Sequence, residues 1–238
     1  MTGPRTISKR KNLRPVAHFT IPTWILLAFT ILIPFFYGIY ISFQNINLAS
    51  FLPPNFVGFD NYRTALAAPE TWSTLQITLL ITFFGLLFQI PLGIFLALAL
   101  HENLRGTKIF RSILITPMLL TPVAVGLTYR FMFDTDLGVI NWFLNILGIE
   151  KVNWLGSQTS ALFAVIIVDS WQSVPFVMML VLAALTAISP SLYEAARVDG
   201  ANSSQIFRRL TLPLITPTLL VITMIKIMDF LKLFDTLF

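Results

Sequence analysis

The sequence predicts an all-α polytopic membrane protein, on three observations. Of its 238 residues, 56% are hydrophobic and only 11% charged, where soluble domains carry about a quarter charged residues. The mean hydropathy is +0.79. Five stretches, 19–43, 75–100, 112–133, 161–188 and 214–238, are apolar enough and long enough to meet the roughly 20 residues of a bilayer-spanning helix. The same composition narrows the chemistry. There is no cysteine, which removes disulfides, thiolate metal sites and a cysteine nucleophile. His18 and His101 stand far apart, too sparse for a histidine-based metal centre. No cofactor is expected on this chain. The net charge of +5 reads as orienting a membrane protein rather than as binding nucleic acid.

The first 18 residues form a basic segment with Arg5, Lys9, Arg10, Lys11 and Arg14. It lacks a signal-peptide cleavage pattern, and the apolar run after it is too long for one. Short loops rich in Lys and Arg stay cytoplasmic. An inside N-terminus also places Arg105, Lys108 and Arg111 inside, together with Arg197, Arg208 and Arg209. The opposite loops hold Arg63 and Lys151, with Arg130 as an outer-end anchor. Five spans then leave the C-terminus outside, directly after Leu237-Phe238, so the chain reads as cut short by at least one helix. The domain expected to cross the membrane is 19–238.

Between the first two spans, Pro53-Pro54, Gly58 and Pro69 argue for turns rather than a long helix. After the third span, residues 139–147 (VINWFLNIL) are apolar and carry Trp142, and Gly148 follows as a helix stop. A run this brief suits a helix lying at the membrane surface. Trp72, Trp154 and Tyr62 fit an interfacial aromatic belt.

The segment 189–213 between the fourth and fifth spans is the most informative. Ser191-Leu192-Tyr193-Glu194 has the form of a capping box behind Pro190. Gly200 ends that helix, and Asn202-Ser203-Ser204-Gln205 starts a second, with Ile206, Phe207 and Leu210 on one face. Pro213 closes the unit. Such a helix pair is either an ordinary amphipathic loop folded on its own bundle or a docking surface for another protein.

Glu194-Ala195-Ala196, three residues, Gly200, nine residues, then Leu210-x-Leu212-Pro213 resembles the EAA loop of ABC importer permeases, EAA-x3-G-x9-I-x-LP, departing only by Leu210 in the Ile position. Gly58-Phe59-Asp60-Asn61-Tyr62 is similar to the G-[LF]-x-N-[YF] element of sugar-importer permeases, and Trp171 to Phe176 to their W-x-x-x-P-[FY]. Leu137-Gly138-Val139-Ile140-Asn141 and Asn153-Trp154-Leu155-Gly156 resemble two further family elements. The resemblance is to the carbohydrate-uptake class, of the maltose or glycerol-3-phosphate permease type. It implies a fold of six transmembrane helices, of which five are present here. It also implies a second, similar permease, a cytoplasmic ABC ATPase dimer whose grooves take the EAA loops, and an extracytoplasmic protein that delivers a sugar-like solute. On that pattern Glu194 meets a basic residue of the ATPase, Ala195 and Ala196 pack on the groove wall, and Gly200, next to Asp199, forms the bend. Leu210, Leu212 and Pro213 complete the coupling element. No G-x-x-x-x-G-K-[ST] run occurs in the chain, in keeping with hydrolysis on a partner.

Ionisable groups inside a span are costly and face a cavity or a partner. Counted along the spans, Asp169 and Asp229 lie at matching depths of roughly 12–13 Å. Lys226 lies one turn from Asp229, so the three are expected to converge. Gln172 shares the face of Asp169, and Asp169, Trp171 and Gln172 would suit a sugar. The same groups could equally be glue between helices. Lys232 and Asp235 are expected to snorkel. Pro91, Pro117, Pro122, Pro175 and Pro217 interrupt four of the five spans, as hinges or as static shape. A transport subunit leads the functional reading, with an ion-gradient transporter using Asp169 or Asp229 as the alternative. No H-E-x-x-H or G-x-S-x-G arrangement points to an enzyme.

Overall fold

The computed structural model describes residues 14–46, 53–101 and 106–232. The basic residues 5–11, Arg105 and Asp235 lie outside them. The chain divides into two compact units, Met1–Trp72 and Ser73–Phe238.

In the first unit, α1 (Arg14–Leu27) passes through a π-helical turn, Ala28–Leu32, into α2 (Ile33–Ser42). Thr20–Ser42 is long and apolar enough to cross a membrane, as the first predicted span requires. A short antiparallel pair, β1 (Gln44–Asn45) and β2 (Asn55–Phe56), and the helix α3 (Asp60–Ala67) follow. The structure explains the motif noticed here. Asn61 Nδ2 donates to the carbonyls of Ser42 and Gln44, both at 2.9 Å. Asn61 thus satisfies carbonyls left open where α2 ends, and the Tyr62 hydroxyl lies 2.6 Å from Ser42 Oγ.

Helix α4 (Pro69–His101) begins earlier than the second predicted span. Pro69 does not mark a turn but opens the helix, where its missing N–H costs nothing. Ala68 before it is extended, with ψ 122°.

The third predicted span is corrected. Residues 112–133 are not one helix. Thr107–Leu119, made of α5 (Thr107–Ile115) and a 3-10 turn (Thr116–Leu119), meets α6 (Pro122–Met132) at 94°. The cause is local. Pro122 excludes the helical region for the residue before it, and Leu120 and Thr121 are extended, with ψ 144° and 135°. Pro91, Pro175 and Pro217, by contrast, sit inside unbroken helices.

The short apolar helix is present as α7 (Val139–Ile146), and Gly148 follows at φ +75°. Asn141, 2% exposed, locks it in place. Its Nδ2 donates to the carbonyls of Thr135 and Val152, and its Oδ1 accepts from the Val152 N–H and Trp154 Nε1. Gly138 and Gly156 stand in the same knot, so the two motifs seen in this part of the sequence form one structure. Asp134 Oδ1 accepts from the N–H groups of Leu137 (2.8 Å) and Asp136 (2.9 Å). These bonds hold its carboxyl below the ordinary carboxylate range, with Lys151 adding a smaller pull in the same direction.

Helix α8 (Gln158–Thr186) is the fourth span, started by Ser157 Oγ accepting the Ser160 N–H. Then come α9 (Pro190–Val198), α10 (Ser203–Ile206) and α11 (Leu212–Leu231). Pro213 does not separate α10 from the fifth span. Ser203–Leu231 runs as one helix, through a π-helical turn at Phe207–Thr211 that ends with the Leu212 N–H on the Phe207 carbonyl. Pro213 has no N–H to offer the preceding turn, and a wider turn just before it absorbs the mismatch. The core of this unit joins α4, α8 and α11 through Ala97, Val177, Met178, Val181, Leu185, Ile215 and Ile222.

Candidate functional site

Two places in the second unit carry polar chemistry. The first is the helix pair between α8 and α11. Ser189 is the N-cap residue and Pro190 occupies the first turn, so the expected capping box of Ser191 and Glu194 does not form. Ser191 already lies inside the helix, and its hydroxyl meets that of Ser189 at 2.8 Å. The end of α9 is a Schellman motif. The Ala201 N–H bonds the Ala196 carbonyl (3.0 Å), the Gly200 N–H bonds that of Arg197 (3.1 Å), and Gly200 sits at φ +78°. The second cap forms as expected: Asn202 Oδ1 accepts the Gln205 N–H, and Gln205 Oε1 accepts the Asn202 N–H, both at 2.9 Å.

Glu194, Ala195, Asp199 and Gly200 are exposed, Ala196 is half-buried, and Val198 is 87% exposed. Leu210 and Leu212 are half-buried, and Leu212 packs on the main core. Pro213 is exposed on the continuous helix. The bond from Thr211 Oγ1 to the Tyr193 hydroxyl (3.3 Å) roots α9 to that helix. The element is thus a bend with Glu194, Ala195 and Asp199 outward and Leu210 and Leu212 partly buried. Val198 was not singled out from the sequence.

The second place is a polar cluster among apolar side chains. Lys226 Nζ lies 3.8 Å from Asp169 Oδ2, 3.7 Å from Asp229 Oδ2 and 2.9 Å from Ser173 Oγ. Gln89 on α4 donates to the same Asp169 Oδ2 at 2.6 Å. Asp169, Lys226 and Asp229 therefore converge. They line a cavity of about 510 Å³ with Met118, Pro122, Gln172, Ser173, Phe176 and Lys232. Lys232 lines that wall as well as standing near the helix end. Gln172 donates to the carbonyl of Leu120 (2.9 Å), tying the broken helix to α8. Trp171 is not on the cavity wall; its ring meets Tyr129 edge-on at 5.5 Å. Gln89 was missed in the sequence, although it is the lone amide side chain in the apolar run 79–100.

A family model described as "Binding-protein-dependent transport system inner membrane component" matches residues 89–237. The chain belongs to this family. It is a transport permease component and not an enzyme. The permease is 34% identical to a probable ABC transporter permease protein of Sinorhizobium fredii, over 99% of this chain and 77% of that one. It is 40% identical to the trehalose/maltose transport system permease protein MalF of Thermococcus litoralis, over 52% of this chain and 42% of that one. With the sulfoquinovosyl glycerol transport system permease protein SmoG of Agrobacterium fabrum it shares 35% identity, over 90% and 70%. The chain thus spans less than half of the Thermococcus relative and about three quarters of the other two. Among solved structures it resembles a bacterial ABC transporter involved in the import of the acidic polysaccharide alginate. The TM-score is 0.77 at 27% identity, covering 93% of this chain and 75% of that one. The permease fold predicted from the sequence is therefore present.

Proposed function

We propose that this permease is one transmembrane half of an ABC importer that passes a sugar or sugar-like solute across the cytoplasmic membrane of a prokaryote. A separate ATPase dimer drives it by gripping the α9–α10 element. The observation that carries the reading is the Schellman bend at Gly200. It presents Glu194, Ala195 and Val198 outward while Leu212 and Thr211 root the element in the helix that carries Lys226 and Asp229. Small residues beside an exposed apolar knob suit insertion into a groove on another protein. The named transport systems of the relatives, for trehalose/maltose and sulfoquinovosyl glycerol, support a sugar-type solute. An alginate transporter solved with its pentasaccharide-bound periplasmic protein, similar at TM-score 0.76, supports a delivering protein. A second, homologous permease completes the pathway. Nothing in these relatives favours an ion-gradient mechanism.

Charge supports the orientation. Lys108 and Arg111 on one side of α6 and α8, and Arg197, Arg208 and Arg209 on the other, share the cytoplasmic face only if the bent pair and α8 each cross the membrane once. The N-terminus then lies in the cytoplasm. ATPase closure pushes on α9 and α10, and α11 carries the displacement to the cavity. Asp169, Gln172, Lys226 and Asp229 supply one wall of the solute path, where carboxylates and an amide can bind hydroxyl groups.

Gly200→Val puts a β-branched residue at φ +78°, where only glycine is comfortable. The expected outcome is normal membrane insertion with solute uptake lost and ATP hydrolysis no longer stimulated by the loaded binding protein. Unchanged uptake would overturn the coupling role. Because the chain has no cysteine, a crosslinker on Val198→Cys is expected to capture the ATPase.

A further inference from the structure

Lys226 is 2% exposed, yet it makes no tight ion pair. Its two carboxylate partners stand at nearly equal distances, 3.8 Å on α8 and 3.7 Å on its own helix. Both exceed the 2.7–2.9 Å of a charge-assisted hydrogen bond. The Asp169 oxygen that faces the ammonium is the one Gln89 occupies at 2.6 Å, and Ser173 holds the ammonium at 2.9 Å. Gln89 is itself fully buried and leaves its Oε1 without a partner among the described residues. A half-satisfied buried amide costs stability, so its presence calls for a positional reason.

We propose that Gln89 is a positioning residue of the transport cycle. By holding Asp169 it keeps Lys226 poised between an interhelical and an intrahelical partner, and exchange between the two sets whether the cavity is closed or open. Paired with Asp169, the ammonium ties α11 to α8 across the cavity wall. Paired with Asp229, three residues along its own helix, it keeps only the Ser173 hydroxyl across to α8 and loosens that tie. Every group involved except Gln89 lines the cavity, so the exchange and the opening are one event. The proposal rests on the transport reading above and adds the control of its site.

The absence of cysteine makes Met118→Cys, on the cavity wall, a single reporter. Its alkylation by a water-soluble methanethiosulfonate is followed in the purified transporter in nanodiscs, without nucleotide or solute. Asp169→Asn removes the interhelical partner and is expected to speed alkylation about fivefold or more, the lower end of coupling between linked sites. Gln89→Met frees Asp169 to close on Lys226 and is expected to slow it by a similar factor. The double variant should behave as Asp169→Asn alone. Asp229→Asn leaves only the interhelical partner and should also slow alkylation, which keeps the test decisive if Gln89→Met does not fold. Rates unmoved in inserted, monodisperse variants would overturn the proposal. So would a Gln89→Met effect that persists without the Asp169 carboxylate. Alkylation that follows this pattern while uptake stays unchanged would leave the exchange standing but overturn its role in the transport cycle. Impaired uptake with unmoved alkylation would overturn the exchange and leave the transport reading standing.

Discussion

At Lys226 burial and charge oppose each other. An ammonium withdrawn from water needs compensation, and two carboxylates, a hydroxyl and the Phe230 ring at 4.9 Å surround it. That ring has its own constraint one helix away. A Cβ added to Gly85 would meet the Phe230 Cζ at 2.2 Å, and Phe230 is 1% exposed. Gly85→Ala is therefore expected to destabilise the fold by about 1–3 kcal/mol, as overpacking does, measured as a lower unfolding midpoint in detergent. Asp134 behaves differently, because its carboxylate accepts two backbone N–H bonds at the surface. Its acidity is raised by them, so the stabilisation is complete above the unfolded-state value and is lost only as pH falls through the lower, folded one. The turn at Asp134–Leu137 should keep its amides protected at neutral and mildly acidic pH. In Asp134→Ala, hydrogen exchange at Asp136 and Leu137 is expected to be fast throughout.

Among the elements, α10 depends most on one side chain. It is the first turn of the helix Ser203–Leu231, whose leading N–H groups have no intrahelical partner, and Asn202 with Gln205 supplies both ends of its capping box. Asn202→Ala is expected to cost about 1 kcal/mol. The readouts are faster amide exchange over 203–206 and reduced uptake in a chain that still inserts. The helix pair was legible because its signals are local: a proline start, a glycine stop and an Asn cap act within a few residues. The first cap was misplaced because Ser189 and Ser191 offer the same chemistry two positions apart, and Pro190 prefers the first turn. The broken third span was not legible as a break. Seven prolines stand in the predicted spans, Pro22 and Pro34 of the first among them, and only the neighbourhood of Pro117 and Pro122 bends sharply. Local propensity does not distinguish them from Pro91 or Pro175, which packing holds straight. The convergence of Asp169, Lys226 and Asp229 followed from depth along the spans, since charges at one depth seek each other in hydrocarbon. Gln89 did not follow. Its role exists only because α4 lies beside α8 at that level, a pairing no residue spacing encodes.

At the scale of the whole chain, the exposed surface of each unit is that of a protein surrounded by lipid. Trp24, Phe83, Phe131 and Met224 are all more than 60% exposed, a pattern no water-facing surface sustains. Among the described residues, acids and bases stand instead near helix ends, in loops such as that of Glu150 and Lys151, and in the cluster around Lys226. The hydropathy of the chain announced this class, and the side-chain knots at Asn61 and Asn141 show why its short motifs carry asparagine. The π-helical turn at Phe207–Thr211 has a wider meaning. It fuses the last part of the α9–α10 bend to the helix that bears Lys226. From Ser203 to Lys226 is about 35 Å at 1.5 Å per residue. Under the proposed coupling, that length would work as an axle rather than a hinge, and a push at Arg208 and Arg209 would turn Lys226 against α8. An ammonium with two equidistant counter-ions is the kind of group that registers a small rotation.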